Sequence, residues 1–461
     1  MKSQTVNPSI FRAYDIRGVV DETLTKDSVY LIGRAIGALA IESGEKNIAV
    51  ARDGRLSGPM LINALCNGIL STGCNVINLG VVPTPVLYYA THELDTRSGV
   101  MLTGSHNPPE YNGLKIVMNG KTLAEDGIHD LYRRIVEDRL CDGSGMATDV
   151  NLLARYIQRI TSTVKLSRPL KVVVDCGNGV PGVVVPELYR QMGCDVHELF
   201  CDVDGNFPNH HPDPSVAENL QDLVQKVREL DADVGLAFDG DGDRLGVVTR
   251  KGEIILPDRQ LMLFAKSILA NNPGAKIIYD VKCTSNLATI VREHGGEPIM
   301  WKTGHSLIKA KLAETQALLA GEMSGHIFIK DRWYGFDDAV YAGARLLEIL
   351  AAEELDIDTL FAGIPDSVNT PELKIKVSEE EKFLIMEKLI ASANFQTALQ
   401  VMTIDGLRVN FADGWGLVRP SNTTPCLVLR FEADSETVLA RIQALFRDFI
   451  LAAEPSLELP F

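Results

Sequence analysis

Short apolar runs alternate with amphipathic stretches over the first three quarters of the chain. Runs 47–51, 75–79, 171–175, 233–238, 276–280 and 317–321 read as strands. Between them, Leu220, Leu223, Val224, Val227 and Leu230 recur at helical spacing, with Ser215 upstream as the expected N-cap. This alternation predicts parallel sheets built from βαβ units. Three runs end alike, in a small polar loop: 100–102 before Thr103-Gly104-Ser105, 236–238 before Asp239-Gly240-Asp241, and 318–320 before Gly321-Glu322. Three related α/β units are therefore expected, each lending one loop to a shared cleft, because ligands sit at the carboxyl ends of parallel strands. From about residue 366 the pattern changes. Positions 371–377 alternate, 424–432 form another strand, and Leu439, Ile442, Leu445, Phe446 and Phe449 mark a closing helix. The fold class is α/β: three mixed α/β domains followed by an α+β domain with an antiparallel sheet.

Composition narrows the function classes. The chain has 461 residues, 46% hydrophobic and 23% charged, which is the profile of a globular protein with ample core. No window approaches the ~18 apolar residues of a membrane helix. The N-terminus lacks the apolar core of a secretory signal, so a cytoplasmic location is expected. The eight cysteines form no Cys-x-x-Cys pair and read as reduced, buried thiols; zinc and redox roles have no support. A net charge of −16 repels nucleic acid and anionic membranes. An anionic ligand would therefore need cations gathered locally in a cleft; Arg17, Lys115, Arg244, Lys282 and Arg419 stand beside the motifs.

Those motifs carry the chemistry. The loop 103–109 offers the Ser105 hydroxyl beside His106, with Pro108 and Pro109 as stiffeners. Asp239, Asp241 and Asp243 alternate with glycines; extended backbone would put all three carboxylates on one side. Crowded carboxylates need a cation, and oxygen ligands favour Mg²⁺ or Ca²⁺. An EF-hand would need Gly and Glu where Arg244 and Arg250 stand, which excludes the calcium loop. Arg419, Ser421, Asn422 and Thr423 suit a phosphate. His305 and His326 follow glycines, which points to exposure in a cleft. Gly177, Gly179 and Gly182 match a dinucleotide fingerprint, but Pro181 lies inside it and no hydride-transfer site accompanies it; a tight strand-to-helix turn is the preferred reading.

In this order the motifs resemble the α-D-phosphohexomutase superfamily, most closely its bacterial phosphomannomutase/phosphoglucomutase branch, the type that supplies alginate and lipopolysaccharide precursors. The resemblance spans essentially the whole chain, from Phe11-Arg12-Ala13-Tyr14-Asp15-Ile16-Arg17-Gly18 to Arg419-Pro420-Ser421-Asn422-Thr423-Thr424. It implies four domains around a cleft, 1–151, 152–253, 254–365 and 366–461. Ser105 would carry a phosphoryl group. Asp239, Asp241 and Asp243, with a phosphoryl oxygen on Ser105, would hold Mg²⁺. Glu322 and Ser324 would bind sugar O3 and O4. Arg419, Ser421, Asn422 and Thr423 would hold the non-reacting phosphate, and Tyr14, Arg17, His106, Lys115, Arg244, Lys282, His305 and His326 would line the cleft. Met323 stands where phosphoglucosamine mutases usually carry Gln, which favours a neutral sugar.

The activity so implied interconverts the 1- and 6-phosphates of mannose and glucose, through phosphoserine and a hexose 1,6-bisphosphate that turns in the cleft. Arg17 and Arg244 would steady the transferring group. Lys115 or His305 would move the proton of the attacking hydroxyl. A hinge is expected near Pro365 or Pro371, and the protein is expected to act as a monomer. Rival readings are a phosphoglucosamine mutase, an NAD-dependent oxidoreductase built on 177–182, a sugar-phosphate sensor and a metal-dependent phosphatase.

Overall fold

The computed structural model describes residues 6–422 and 424–461. Its first three sheets repeat one topology. In the first, Asn47–Arg52 is flanked in parallel by Asn75–Val81 and Gly99–Leu102, and Gly99–Leu102 turns back antiparallel into Tyr111–Met118. The second has Lys171–Asp175 between Asp195–Leu199 and Val234–Phe238, with Leu245–Thr249 returning. The third has Lys276–Asp280 between Glu297–Trp301 and Leu319–Gly321, with Ile327–Ile329 returning. In each, the loop that carries the candidate chemistry joins the third strand to the antiparallel fourth. The first sheet is extended at its edges by Ile16–Val19 and Ala147–Asp149.

The last sheet is antiparallel: Gly414–Pro420 lies between Leu407–Asn410 and Cys426–Ala433, covered by helices Glu381–Ser392 and Glu436–Ala453. Its apolar core, with Leu389, Leu429, Phe431 and Phe446, is its own. The first three units instead share a continuous core that runs from Ala49 and Met101 through Val172 and Phe238 to Ile277 and Ile329. That shared burial holds the three loops as one rigid body.

The last unit docks on the third through a small apolar cluster, Val281 with Trp415 and Leu417, and through buried polar groups. Arg408, buried and stacked over the Trp415 ring at 3.7 Å, donates to the carbonyls of Val281 (2.6 Å) and Cys283 (2.8 Å). The Thr284 hydroxyl donates to Glu432 at 2.9 Å.

One local expectation is corrected. Ser215 does not cap a helix: its N–H and hydroxyl are captured by the Asp213 carboxylate at 3.0 and 2.6 Å. The chain enters instead through a 3-10 turn, Ala217–Leu220, ahead of the α-helix Gln221–Leu230.

Candidate active site

Ser105 sits at the mouth of the first sheet with φ +49, a left-handed conformation unusual for a residue with a Cβ. The surroundings explain how it is held. Its N–H donates to the Thr103 hydroxyl at 2.8 Å, and Thr103 donates to Asp53 at 2.8 Å. Beneath the loop lies Arg55, 1% exposed. All five of its N–H groups are used. Nε donates to Asp53 (3.2 Å), Nη1 to the carbonyls of Pro108 (2.5 Å) and Tyr111 (3.0 Å), and Nη2 to those of Ser105 (2.8 Å) and Asn107 (2.5 Å). Neither Asp53 nor Arg55 was among the residues the sequence brought forward.

The Ser105 hydroxyl, 134 positions away in sequence, donates to Asp239 Oδ2 at 3.0 Å. The other side of Oγ meets His106 Nδ1 at 3.1 Å. Asp239, Asp241 and Asp243 are fully buried, and each presents a carboxylate oxygen within 4.8 Å of the others. They converge by a different route from the one expected. The loop is a turn wrapped around Asp239, whose Oδ1 accepts the N–H groups of Gly242, Asp243 and Arg244 at 3.0, 3.0 and 3.1 Å. Gly242 has φ +80, which glycine adopts at little cost. Gly240 is needed for a second reason: a Cβ there would lie 2.4 Å from the Ser105 carbonyl oxygen. The two loops can touch only because that side chain is absent.

Lys115, on the antiparallel strand beside Ser105, donates to Asp241 at 2.7 Å and also to Asp243. Burial opposes its charge, but the aspartates overcome it and hold the ammonium well above its usual range. The Thr84 hydroxyl adds a 2.5 Å bond to Asp241. Even so, among the described residues Asp241 Oδ1 is buried without a hydrogen bond, and Asp243 Oδ1 meets only an ion pair with His326. Three buried carboxylates with unspent hard-oxygen lone pairs fit a divalent cation.

The third loop joins this pocket through His326. Its Nδ1 lies 2.8 Å from Glu322 and 3.0 Å from the Ser324 hydroxyl, and its Nε2 lies 3.2 Å from Asp243 as an ion pair. Burial disfavours the imidazolium, yet Asp243 and Glu322 raise its pKa to about 9. Arg244 Nε reaches His326 at 3.4 Å, and its Nη1 faces Asp213 at 3.8 Å. His305 opens the helix His305–Thr315; the Gly304 N–H before it donates to Glu322 at 2.5 Å. Arg17 is tied to Asp15 at 2.5 Å.

A second cluster lies on the last unit. Arg419 pairs with Asp405 at 3.0 Å, and Lys282 with Glu372 at 2.5 Å. The Ser421 hydroxyl lies 2.8 Å from that of Thr424, and the Ser421 carbonyl accepts Lys382 at 2.7 Å. Asn422 donates to the Tyr14 hydroxyl, which itself donates to the Thr303 carbonyl at 2.8 Å. Tyr14, from the start of the chain, thus ties the first, third and last units together. Thr423 lies outside the described residues. Asp405 and Glu372, the anionic partners here, were not foreseen; a phosphate in this cluster would compete with both carboxylates.

The glycines 177–182 have a structural use. Gly177 has φ +50, the Val180 N–H donates to the Gly240 carbonyl at 3.1 Å, and a Cβ on Gly179 would meet Gly240 at 2.9 Å. The turn packs against the acidic loop, where a dinucleotide pyrophosphate would have to lie.

Comparison with known proteins agrees with this geometry. Four family models match in order: phosphoglucomutase/phosphomannomutase alpha/beta/alpha domains I (8–140), II (154–252) and III (256–368), and the C-terminal domain (372–449). The chain is 58% identical over 453 residues to a phosphomannomutase/phosphoglucomutase of Pseudomonas putida, covering 98% of each. It is 56% identical over 460 residues to the protein of that name from Pseudomonas aeruginosa, covering 100% of this chain and 99% of the relative. A crystal structure of a phosphoglucomutase/phosphomannomutase family protein from Burkholderia thailandensis superposes with a TM-score of 0.95 at 55% identity, covering 99% of this chain and 100% of the other. With four domains matched in series and the acidic loop seated against the serine, the chain belongs to the phosphoglucomutase/phosphomannomutase family of α-D-phosphohexomutases, enzymes that move a phosphoryl group within a sugar phosphate.

Proposed function

We propose that this enzyme interconverts the 1- and 6-phosphates of mannose and glucose, with Ser105 as the phosphoryl carrier. The observation that carries the reading is the 3.0 Å contact between Ser105 Oγ and Asp239 within the acidic pocket. Asp239, Asp241 and Asp243 would hold Mg²⁺, with an oxygen of the phosphorylated serine as a further ligand. When bound, the ion supplies Lewis-acid neutralisation of charge on the transferring group. The unpartnered Oδ1 of Asp241 supports that fit.

The chain's own residues divide the remaining work. Arg17 and Arg244 steady the equatorial oxygens of the phosphoryl group. Lys115 or His305 moves the proton of the attacking sugar hydroxyl. His106 borders the bond that breaks. Glu322 and Ser324 grip O3 and O4, with His326 fixing both. Arg419, Ser421, Asn422 and Thr423 hold the phosphate that is not reacting, helped by Lys282 and Tyr14. Hexose 1,6-bisphosphate is the intermediate, and its addition primes dephosphorylated enzyme. It turns in the cleft and returns its other phosphoryl group to Ser105. A hinge near Pro365 or Pro371 lets the last domain loosen, which the separate core of that unit supports. The working divisions are 1–151, 152–253, 254–365 and 366–461.

Glucose and mannose differ at C2, and a reader that senses O3 and O4 leaves no buried group unpaired when one replaces the other. Dual specificity is therefore expected. We place the enzyme in the cytoplasm and expect it to act as a monomer. Among the described residues no helix is long and apolar enough to cross a membrane.

The test is a coupled mutase assay on mannose 1-phosphate and glucose 1-phosphate, primed with hexose 1,6-bisphosphate. Both sugars should turn over, and Ser105→Ala should abolish most activity. Conversion of only one sugar refutes the dual reading. Accumulation of inorganic phosphate in place of the 6-phosphate refutes the mutase.

A further inference from the structure

Asp337 belongs to none of the motifs read from the sequence, yet it lies at the heart of the third unit. It bridges to Phe328 and precedes Asp338, the N-cap of helix Ala339–Ala352. It is fully buried. Its Oδ1 accepts Lys309 Nζ at 2.8 Å, whereas its Oδ2 has no hydrogen-bond donor. Facing Oδ2 at 3.5 Å is His305 Nδ1, also buried and also without a hydrogen bond. His305 and Lys309 are one helical turn apart, so a single carboxylate meets both. Two orphaned polar atoms pointed at each other across 3.5 Å make a hydrogen bond on closing by about half an ångström. Catalytic hydrogen bonds in ligand-free sites are often long in this way and tighten when substrate binds.

The chemistry of the pair has one solution. A carboxylate oxygen only accepts, so the nitrogen facing it carries the hydrogen. In a neutral ring that leaves the lone pair on Nε2. Among the described residues Nε2 has no hydrogen bond, and it is not fully enclosed, so it is the edge of the ring left accessible. The groups facing His305 are Tyr14, Lys115, Asp243, Lys309, His326 and Asp337. Burial, then Lys309 and Lys115, hold the imidazole well below its usual pKa against the pull of Asp243, so the ring is neutral at pH 7.

We infer that Asp337 is a positioning residue that fixes His305 as the Nδ1–H tautomer and so presents Nε2 as the general base toward the attacking sugar hydroxyl. This rests on the mutase reading and chooses between the two bases it left open. In the first half-reaction the hydroxyl proton passes to Nε2. The sugar O–P bond forms as the Ser105 Oγ–P bond breaks, and Oγ takes one proton from water. In the second half Oγ returns that proton to solvent and attacks the other phosphorus of the bisphosphate, and Nε2 returns its proton to the sugar oxygen as its bond to that phosphorus breaks. No proton is consumed over the cycle.

The test reads the tautomer and the rate separately. Protein labelled with ¹⁵N-histidine should show His305 as Nδ1–H in the wild type, assigned by loss of its signals in His305→Gln. In Asp337→Asn the signals should shift toward Nε2–H, and kcat should fall by roughly 10²-fold or more, the scale of general-base loss and of a wrong tautomer. The loss should persist in Asp337→Asn/Lys309→Met, where no buried lysine is left unpaired. Adding His305→Gln to Asp337→Asn should cost little more, because the two act as a unit. An Nε2–H ring in the wild type overturns the inference even if Asp337→Asn fails to fold. Full multiplication of the two single losses also overturns it. An Nδ1–H ring with unchanged kcat in His305→Gln overturns the assignment of His305 as base. Absence of mutase activity in the wild type would mark failure of the underlying reading instead.

Discussion

Arg55→Lys is the sharpest test of how the reactive serine is held. Arginine offers five donors in a rigid fork, and here every one has an acceptor: Asp53 and the carbonyls of Ser105, Asn107, Pro108 and Tyr111. Lysine keeps the charge but has three donors at one point, so at least two of the five bonds are lost. Asp53 and the Pro108 carbonyl keep other donors, so each bond lost costs about 0.5–1.5 kcal/mol and the loop stands to lose about 1–3 kcal/mol. Water reaches Asn107 and Pro108, which are not buried, and that puts the expected loss in the lower half of the range. The same loop holds Ser105 at φ +49, and freed of its clamp the serine relaxes and carries Oγ away from Asp239. A misplacement of about 1 Å at a reacting atom costs on the order of 10²-fold in rate. The assay pairs kcat and KM with amide exchange over 103–113. The expected result is a kcat about 10²-fold lower, faster exchange in that segment, and a KM nearly unchanged, because the phosphate cluster on the last unit is untouched. Wild-type kcat together with wild-type exchange would show that the fork is not what holds the loop.

Three further outcomes follow. Tyr14→Phe removes the hydroxyl that joins Thr303 to Asn422, and steady-state kinetics should show KM rising more than kcat falls. Chelation should abolish turnover and leave the far-UV spectrum unchanged, since Lys115 already neutralises part of the acidic pocket; Mg²⁺ at about 100 times its Kd should add about 2.7 kcal/mol of stability, read as a rise in Tm. Lys282 pulls the Glu372 carboxyl down to about 2 against its ordinary 4.5. A depressed carboxyl contributes stability above its unfolded pKa and loses it as pH falls through the folded one. The Tm gap between wild type and Glu372→Gln should therefore be widest above about pH 5 and close toward about pH 2. Because the Glu372 side chain is 37% exposed, salt should narrow the gap as well. A gap that widens on acidification would refute the pairing.

Much of this enzyme was legible in local patterns. Strands buried on both faces read as apolar runs, and each of the three loops announced itself by following one. Gly240 and Gly242 stood out only as spacers between the aspartates, and the reason for each came from space: one avoids the Ser105 carbonyl, the other takes a positive φ. The acidic triplet was expected to converge along extended backbone, whereas a turn around the Asp239 carboxylate does it. Ser215 looked like a helix cap because the competing Asp213 is a matter of local geometry, not of composition.

What sequence alone determined is the inventory: a hydroxyl, three carboxylates, a hydroxyl reader and an anion loop, each encoded in contiguous residues whose spacing is local chemistry. What only the tertiary structure decided is the company they keep. Arg55 and Asp337 read along the chain as ordinary charges, since burial is a property of packing between distant segments. Packing of helix His305–Thr315 on the third sheet brings His305 to Asp337, and pairing along the first sheet sets Arg55 under Ser105, 50 positions on. A charge withdrawn from water must find a partner, and the fold, by choosing that partner, turns a surface residue type into part of the machinery.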